Sequence, residues 1–163
     1  AQLETAGHDA GTLAEALGEL AAQLTQDHVL AILRGARVAQ KQDDAESCYA
    51  HRVERHEGQI DFLGHASIWA RRARAFNPRL GLRCQLMRGG TRQSIKIWKA
   101  HEVPEAPQGK PGQIMRCDRH ELWVACEESV LRVECLQLDG KKRLFWPQFY
   151  AGNPCSDQDY FET

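Results

Sequence analysis

At 163 residues the chain has room for one ordinary domain, or for one small domain with an extension. Its 42% apolar and 26% charged residues suit a folded domain with a normal polar surface, and the absence of an eighteen-residue apolar run excludes a transmembrane helix. The net charge of −1 conceals a division, since residues 1–66 carry 5 bases and 11 acids whereas residues 67–163 carry 16 bases and 11 acids.

In chain order, the first readable element is a helix over 12–34. Thr12 and Glu15 have the spacing of a capping box, Leu13, Leu17, Leu20 and Leu24 form an apolar stripe, and Gly35 stands where a C-terminal cap is expected. That stripe needs a partner surface which the adjoining sequence does not supply. Residues 36–63 are polar and aperiodic, with a turn at Glu57-Gly58, and read as an extended linker.

A short helix follows from about His65 to Phe76. Trp69, Ala73 and Phe76 share one face and read as core, while Arg71, Arg72 and Arg74 spread over the rest, and Asn77-Pro78 ends the helix. The stretch 67–101 holds seven Arg, two Lys and no acid. Bases without interleaved carboxylates are unusual for an inert helix face, and point to a polyanion.

After Gly81 the period changes to two. Leu82, Cys84 and Leu86 alternate with Arg83, Gln85 and Met87, Gly89-Gly90 marks a hairpin, and Ile95 and Ile97 alternate with Lys96 and Trp98. Further strands are expected at 113–117, 122–126 and 131–138. A phase change near Cys135 predicts a β-bulge there. Five short strands with glycine turns suit a small barrel of the OB type, with an SH3-like barrel as the alternative. Residues 141–151 read as a short helix or coil over the barrel end, and the acidic tail after Asn153 as mobile.

The six cysteines lack the close spacing of a zinc site. Cys84, Cys126 and Cys135 fall on the apolar phase of strands, so buried free thiols are the expected state, and these fit a cytosolic or matrix compartment. The seven histidines show no metal or catalytic arrangement. Glu127-Glu128 reads as a solvated turn.

Several motifs taken together resemble methionyl-tRNA formyltransferases. The run Ser-Cys-Tyr-Ala-His-Arg-Val-Glu-Arg-His-Glu-Gly-Gln-Ile-Asp-Phe at 47–62 is similar to the linker of that family, with Arg52 in place of its lysine and Phe62 in place of its Trp. Arg-Ala-Phe-Asn-Pro at 74–78, Lys-Pro-Gly-Gln-Ile at 110–114, Leu-Trp-Val-Ala-Cys at 122–126 and the run 131–142 follow the family's C-terminal domain in order. Asp-Ala-Gly-Thr-Leu at 9–13 resembles the start of the last helix of its catalytic domain.

The resemblance implies an α+β architecture: a catalytic-domain terminal helix at 1–35, a linker at 36–63, an OB-like C-terminal domain at 64–152 and a mobile tail at 153–163. It implies that the catalytic Asn, His and Asp and the Ser-Leu-Leu-Pro loop, which this sequence lacks, lie before residue 1. The chain alone would then be non-catalytic. The parent enzyme would use 10-formyltetrahydrofolate to formylate the methionine of initiator tRNA, in the bacterial cytoplasm or the mitochondrial matrix. Expected partners are initiator methionyl-tRNA and the catalytic domain, with no membrane. The alternatives are a stand-alone, non-catalytic interaction module, or the C-terminal part of a sugar-nucleotide formyltransferase.

The expected nucleic-acid contacts are Arg52, Arg71, Arg72, Arg74, Arg79, Arg83, Arg88, Arg92, Lys96, Lys99, Lys141, Lys142 and Arg143. Phosphate contacts of this kind fix position and affinity without reading sequence. For Trp98, packing beside the 65–76 helix is preferred to a base-stacking role.

Overall fold

In the computed structural model, which describes residues 2–156 and 158–162, Asp9 opens the first helix, α1 (Ala10–Leu33). Its carboxylate accepts the Thr12 N–H at 2.9 Å, while Thr12 Oγ1 accepts the Asp9 N–H at 3.1 Å. The reciprocal cap expected from Thr12 and Glu15 is thus made by Asp9 and Thr12, because aspartate is the stronger N-cap acceptor and stands where the backbone is still extended. At the other end Gly35 adopts φ 68°, and the N–H groups of Gly35 and Ala36 bond to the carbonyls of Ile32 and Ala31, a Schellman ending. No α1 residue is buried, and Leu30, Ile32 and Leu33 are exposed.

The chain forms two compact units, one ending at Val53 and the other beginning at Glu54. The first holds α1 and a single 3-10 turn at Asp44–Glu46. The second begins with a 3-10 turn at Arg55–Gly58 and then runs directly into its own core. Gln59 bridges Arg83, the Ile60 N–H bonds to the Arg83 carbonyl at 3.1 Å, and Ile60 and Phe62 are fully buried. Residues 59–62, read from sequence as linker, pack into the second compact unit, which begins at Glu54.

Helix α2 (Ala66–Phe76) follows. Its N-terminal amides need acceptors: buried Ser129 Oγ takes the Ala66 N–H at 2.8 Å and the His65 ring takes the Ser67 N–H, while just before the helix Glu127 Oε2 takes the Gly64 N–H at 2.8 Å. Glu127, expected to be merely solvated, therefore helps to hold the start of α2. Trp69, Ala70 and Ala73 are buried, and Trp69 Nε1 donates to the Leu63 carbonyl.

The strands are β1 (Leu82–Arg88), β2 (Thr91–Val103), β3 (Ile114–Cys117), β4 (Leu122–Ala125), β5 (Val130–Leu138), β6 (Leu144–Phe145) and β7 (Tyr160–Glu162), with α3 (Trp146–Gly152) between the last two. They form a curled antiparallel sheet in the order β3-β4-β5-β2-β1-β7, with β6 added to β5. A bridge between Gln113 and Tyr160 brings its two ends together. Gly89 and Gly90 both take positive φ in the β1–β2 hairpin, as a two-residue turn requires. The inward row expected at Leu82, Cys84, Leu86, Ile95 and Ile97 is buried. Opposite Cys135 the β2–β5 register shifts twice, once to leave out Trp98 and once to leave out Glu134, which places the expected bulge.

Two expectations are corrected. Residues 157 and 163 of the tail, like residue 1, lie outside the described residues, but Tyr160–Glu162 pairs with β1 and buries Phe161 against Phe62. Gly112 accepts the Phe161 N–H at 2.7 Å, and its bare Cα leaves the space that this approach needs. In addition, Cys117 and Cys155 form a disulfide rather than two free thiols. Cys84 and Cys126 are buried and free, as expected; burial pushes both thiols up, Cys126 to about 12.

Phe62→Ala should destabilise the second unit by about 3–5 kcal/mol in denaturant unfolding, because a large ring leaves a filled core. A loss below about 1 kcal/mol, the range of a surface change, would show that 59–62 is a linker after all.

Candidate nucleic-acid interface

Strand alternation turns Arg83 and Lys96 outward, and register makes them direct cross-strand partners. Lys96 faces Gln137 on its other side, and Gln137 Nε2 donates to the Lys141 carbonyl at 2.6 Å. This row brings Arg83, Lys96 and the exposed 141–142 turn onto one part of the surface. Beside it lies a shallow notch of about 150 Å³, also lined by Gln59, Gln85, Ser94 and Asp139. A larger groove of about 740 Å³ beside β7 suits an anion less well, because its one lysine, Lys110, stands among Asp61, Asp159 and Glu162.

The bulge turns Trp98 into a buried position, where its ring faces Gly81 and Nε1 donates to Gln137 Oε1 at 2.9 Å. Trp98 is buried and is not a free stacking platform, and its contacts are with Gly81, Gln137 and Arg143. The Arg143 guanidinium lies 3.3 Å from the centre of that ring, and Lys96 Nζ lies 5.9 Å from it. Arg143 also donates from Nη1 to Asn77 Oδ1 at 3.2 Å and from Nη2 to the Pro78 carbonyl at 2.7 Å. The turn that follows α2, including exposed Arg79, is thereby tied to the basic row.

Whether a base can take a phosphate depends on whether a carboxylate already holds it. Of the nine bases in 67–101, Arg92 pairs with Glu162, and Lys99 pairs with Glu134 at 3.1 Å. Burial would raise the Glu134 carboxyl, but the Lys99 hydrogen bond and the charges of His101 and Lys99 outweigh it and hold the group low. The other seven have no ion pair among the described residues, and neither do Lys141, Lys142 and Arg143. A further set lies away from this row, where Arg116 contacts Asp118 at 2.8 Å and Glu121 at 2.6 Å, and Arg132 contacts Glu121 at 3.4 Å.

Residues 52–154 match the formyltransferase C-terminal domain family. The chain belongs to that family. It is 37% identical over 151 residues to the methionyl-tRNA formyltransferase of Dechloromonas aromatica, covering 93% of this chain and 46% of the relative. It is 34% identical over 148 residues to that of Citrifermentans bemidjiense (90% and 44%), and 32% identical over 154 residues to that of Nitrosospira multiformis (94% and 48%). The chain thus spans about half the length of the relatives it matches, in their C-terminal part.

Within this formyltransferase C-terminal domain the thirteen expected contacts do not form one group. Arg83, Lys96, Lys141 and Arg143 come together, Lys142 lies between the last two, and Arg79 follows Pro78, whose carbonyl Arg143 binds. Arg71, Arg72 and Arg74 are exposed on α2, with Arg72 over the Trp69 ring at 4.9 Å. Arg88 and Arg92 lie at the hairpin end, roughly 16 Å along the strand from Arg83 at 3.3 Å per residue. Arg88 is half-buried on the inward phase, with Nη1 buried and unbonded. Arg52 lies in the first unit. Sequence reading missed Asn77 and Gln137, uncharged side chains that fasten the turns carrying the bases. Asn77 sits in the Phe-Asn-Pro motif at 76–78, the one sequence signal for it.

Asp118 shows how firmly the far set is neutralised. The backbone N–H of His120, the Arg116 side chain and the Glu121 N–H hold its carboxyl down from 3.8 to about 2. A depressed folded value stabilises the fold above the unfolded value, and that contribution is lost as pH falls through the folded one. The thermal midpoint should therefore drop between pH 4 and pH 2, and Asp118→Asn should lower it at pH 7 while flattening that acid limb. An Asp118→Asn curve parallel to the parent curve would contradict this assignment.

Proposed function

We propose that the chain is the tRNA-holding C-terminal portion of a methionyl-tRNA formyltransferase, in which a small OB-like barrel and α2 grip the phosphate backbone of initiator methionyl-tRNA. The observation that carries this reading is the group of bases without carboxylate partners among the described residues: Arg83, Lys96, Lys141 and Lys142, with exposed Arg79 on the adjoining turn and Arg71 and Arg74 on α2. Such a group would recognise charge and its spacing rather than base sequence. Discrimination between tRNAs would then belong to the catalytic domain, which would carry the Asn, His and Asp and the Ser-Leu-Leu-Pro loop, and against which the unburied apolar side of α1 would pack.

The whole enzyme would transfer the formyl group of 10-formyltetrahydrofolate to the amino group of the esterified methionine, in support of translation initiation. Its compartment would be the bacterial cytoplasm or the mitochondrial matrix. The motif order at 47–62 and 74–78 and the names of the relatives support this reading over a sugar-nucleotide formyltransferase.

Binding through about six phosphates implies that affinity for tRNA falls about a thousandfold between 50 and 200 mM salt. Titration of the 163-residue chain with initiator and elongator tRNA should give similar, salt-sensitive affinities. Arg83→Ala and Lys96→Ala should each reduce the salt slope by about 0.9. Salt-independent binding, or none at 50 mM salt, would overturn the reading.

A further inference from the structure

Arg143 has a different environment from the bases around it. Lys141, Lys142 and Arg143 are all exposed beside a glycine turn, but only the Arg143 guanidinium is committed on three sides: the face to Trp98, Nη1 to Asn77 and Nη2 to Pro78. These contacts join β2, the segment before β6, and the turn after α2, which are far apart in sequence. The turn they reach is itself tightly folded. The N–H groups of Arg79, Leu80 and Gly81 all converge on the Phe76 carbonyl, at 3.0, 2.8 and 3.3 Å. Gly81, at φ 66°, fits there because a Cβ would press on the Trp98 ring.

We propose that Arg143 is a positioning residue rather than a phosphate ligand: stacked on Trp98, it clamps the 77–81 turn and so sets where Arg79 and the last turn of α2 stand relative to Lys96 and Lys141. The clamp itself is independent of any ligand, while its consequence for RNA rests on the proposed function. A planar fork is required for this task. One edge must donate two hydrogen bonds to acceptors on adjacent residues while the flat face lies on an indole, which a lysine ammonium cannot do. A lysine can, however, replace an arginine that merely offers charge to a phosphate. That difference separates the two roles.

The test compares the full chain with its Arg143→Lys, Arg143→Ala, Arg79→Ala and Arg143→Ala/Arg79→Ala variants. Amide hydrogen exchange without RNA reads the clamp directly. Both Arg143 substitutions should speed exchange at residues 79–81 about tenfold or more while the β2–β5 amides stay protected. Titration with initiator tRNA reads the consequence. Arg143→Lys should bind as weakly as Arg143→Ala, and the double variant no more weakly than Arg143→Ala alone, because the clamp acts through Arg79.

Unchanged exchange at 79–81 in Arg143→Ala would overturn the proposal. So would recovery of affinity by Arg143→Lys, or additive losses in the double variant, each the behaviour of a direct phosphate contact. If the parent chain fails to bind tRNA, the proposed function falls, and exchange alone decides for or against the clamp.

Discussion

The burial of Trp69, Ala70 and Ala73 against the sheet fixes which way the arginines of α2 face. One side of an eleven-residue helix is consumed by that packing, and its N-terminus is held by Ser129 and Glu127, so the helix has no freedom to roll. Arg71, Arg72 and Arg74 are left toward solvent as a consequence of core packing. The same packing delivers the chain to the turn at 77–81 and from there into β1, whose outward phase starts with Arg83. Position of charge on this surface therefore derives from the apolar side of α2.

A surface rich in bases does not by itself bind a polyanion; what counts is the charge left after internal pairing. The sheet provides both conditions. Around Arg116 and Arg132 the acids Asp118 and Glu121 are interleaved with the bases, and hydrogen bonds hold Asp118 ionised well into the acid range. Around Arg83 and Lys96 the neighbours are Gln59, Gln85, Ser94 and Gln137, with Asp139 the acid at the notch. Uncharged hydrogen-bonding neighbours orient the strands and turns there without neutralising them. In water exposed ion pairs contribute little to stability, so their absence costs the fold little.

Much of the fold was legible because the local pattern and the tertiary demand agree. The period-two rows at Leu82–Leu86 and Ile95–Ile97, the Gly89-Gly90 turn and the phase change at Cys135 each record a backbone requirement within a few residues. What could not be read depends on distant partners. Tyr160–Glu162 lies in an acidic tail with a single inward apolar residue, and its pairing with β1 spans about half the chain. The same holds for Arg92 with Glu162, seventy residues on, and for Cys117 with Cys155, thirty-eight residues on. The acid-free stretch 67–101 correctly located a basic region. It could not show that Glu134 and Glu162 return to neutralise Lys99 and Arg92, nor that Arg143 is occupied by Trp98 and Asn77.

The most direct test of unpaired charge as the determinant is to map amide chemical shifts of the labelled chain while tRNA is added at low salt. The account predicts shifts at Arg79, Arg83, Lys96, Lys141, Lys142 and the last turn of α2, with Arg116 and Arg132 unchanged although they are equally basic. Equal shifts at both sets would show that bulk positive charge suffices. Shifts confined to Arg116 and Arg132 would place the interface on the opposite set of bases and contradict the account.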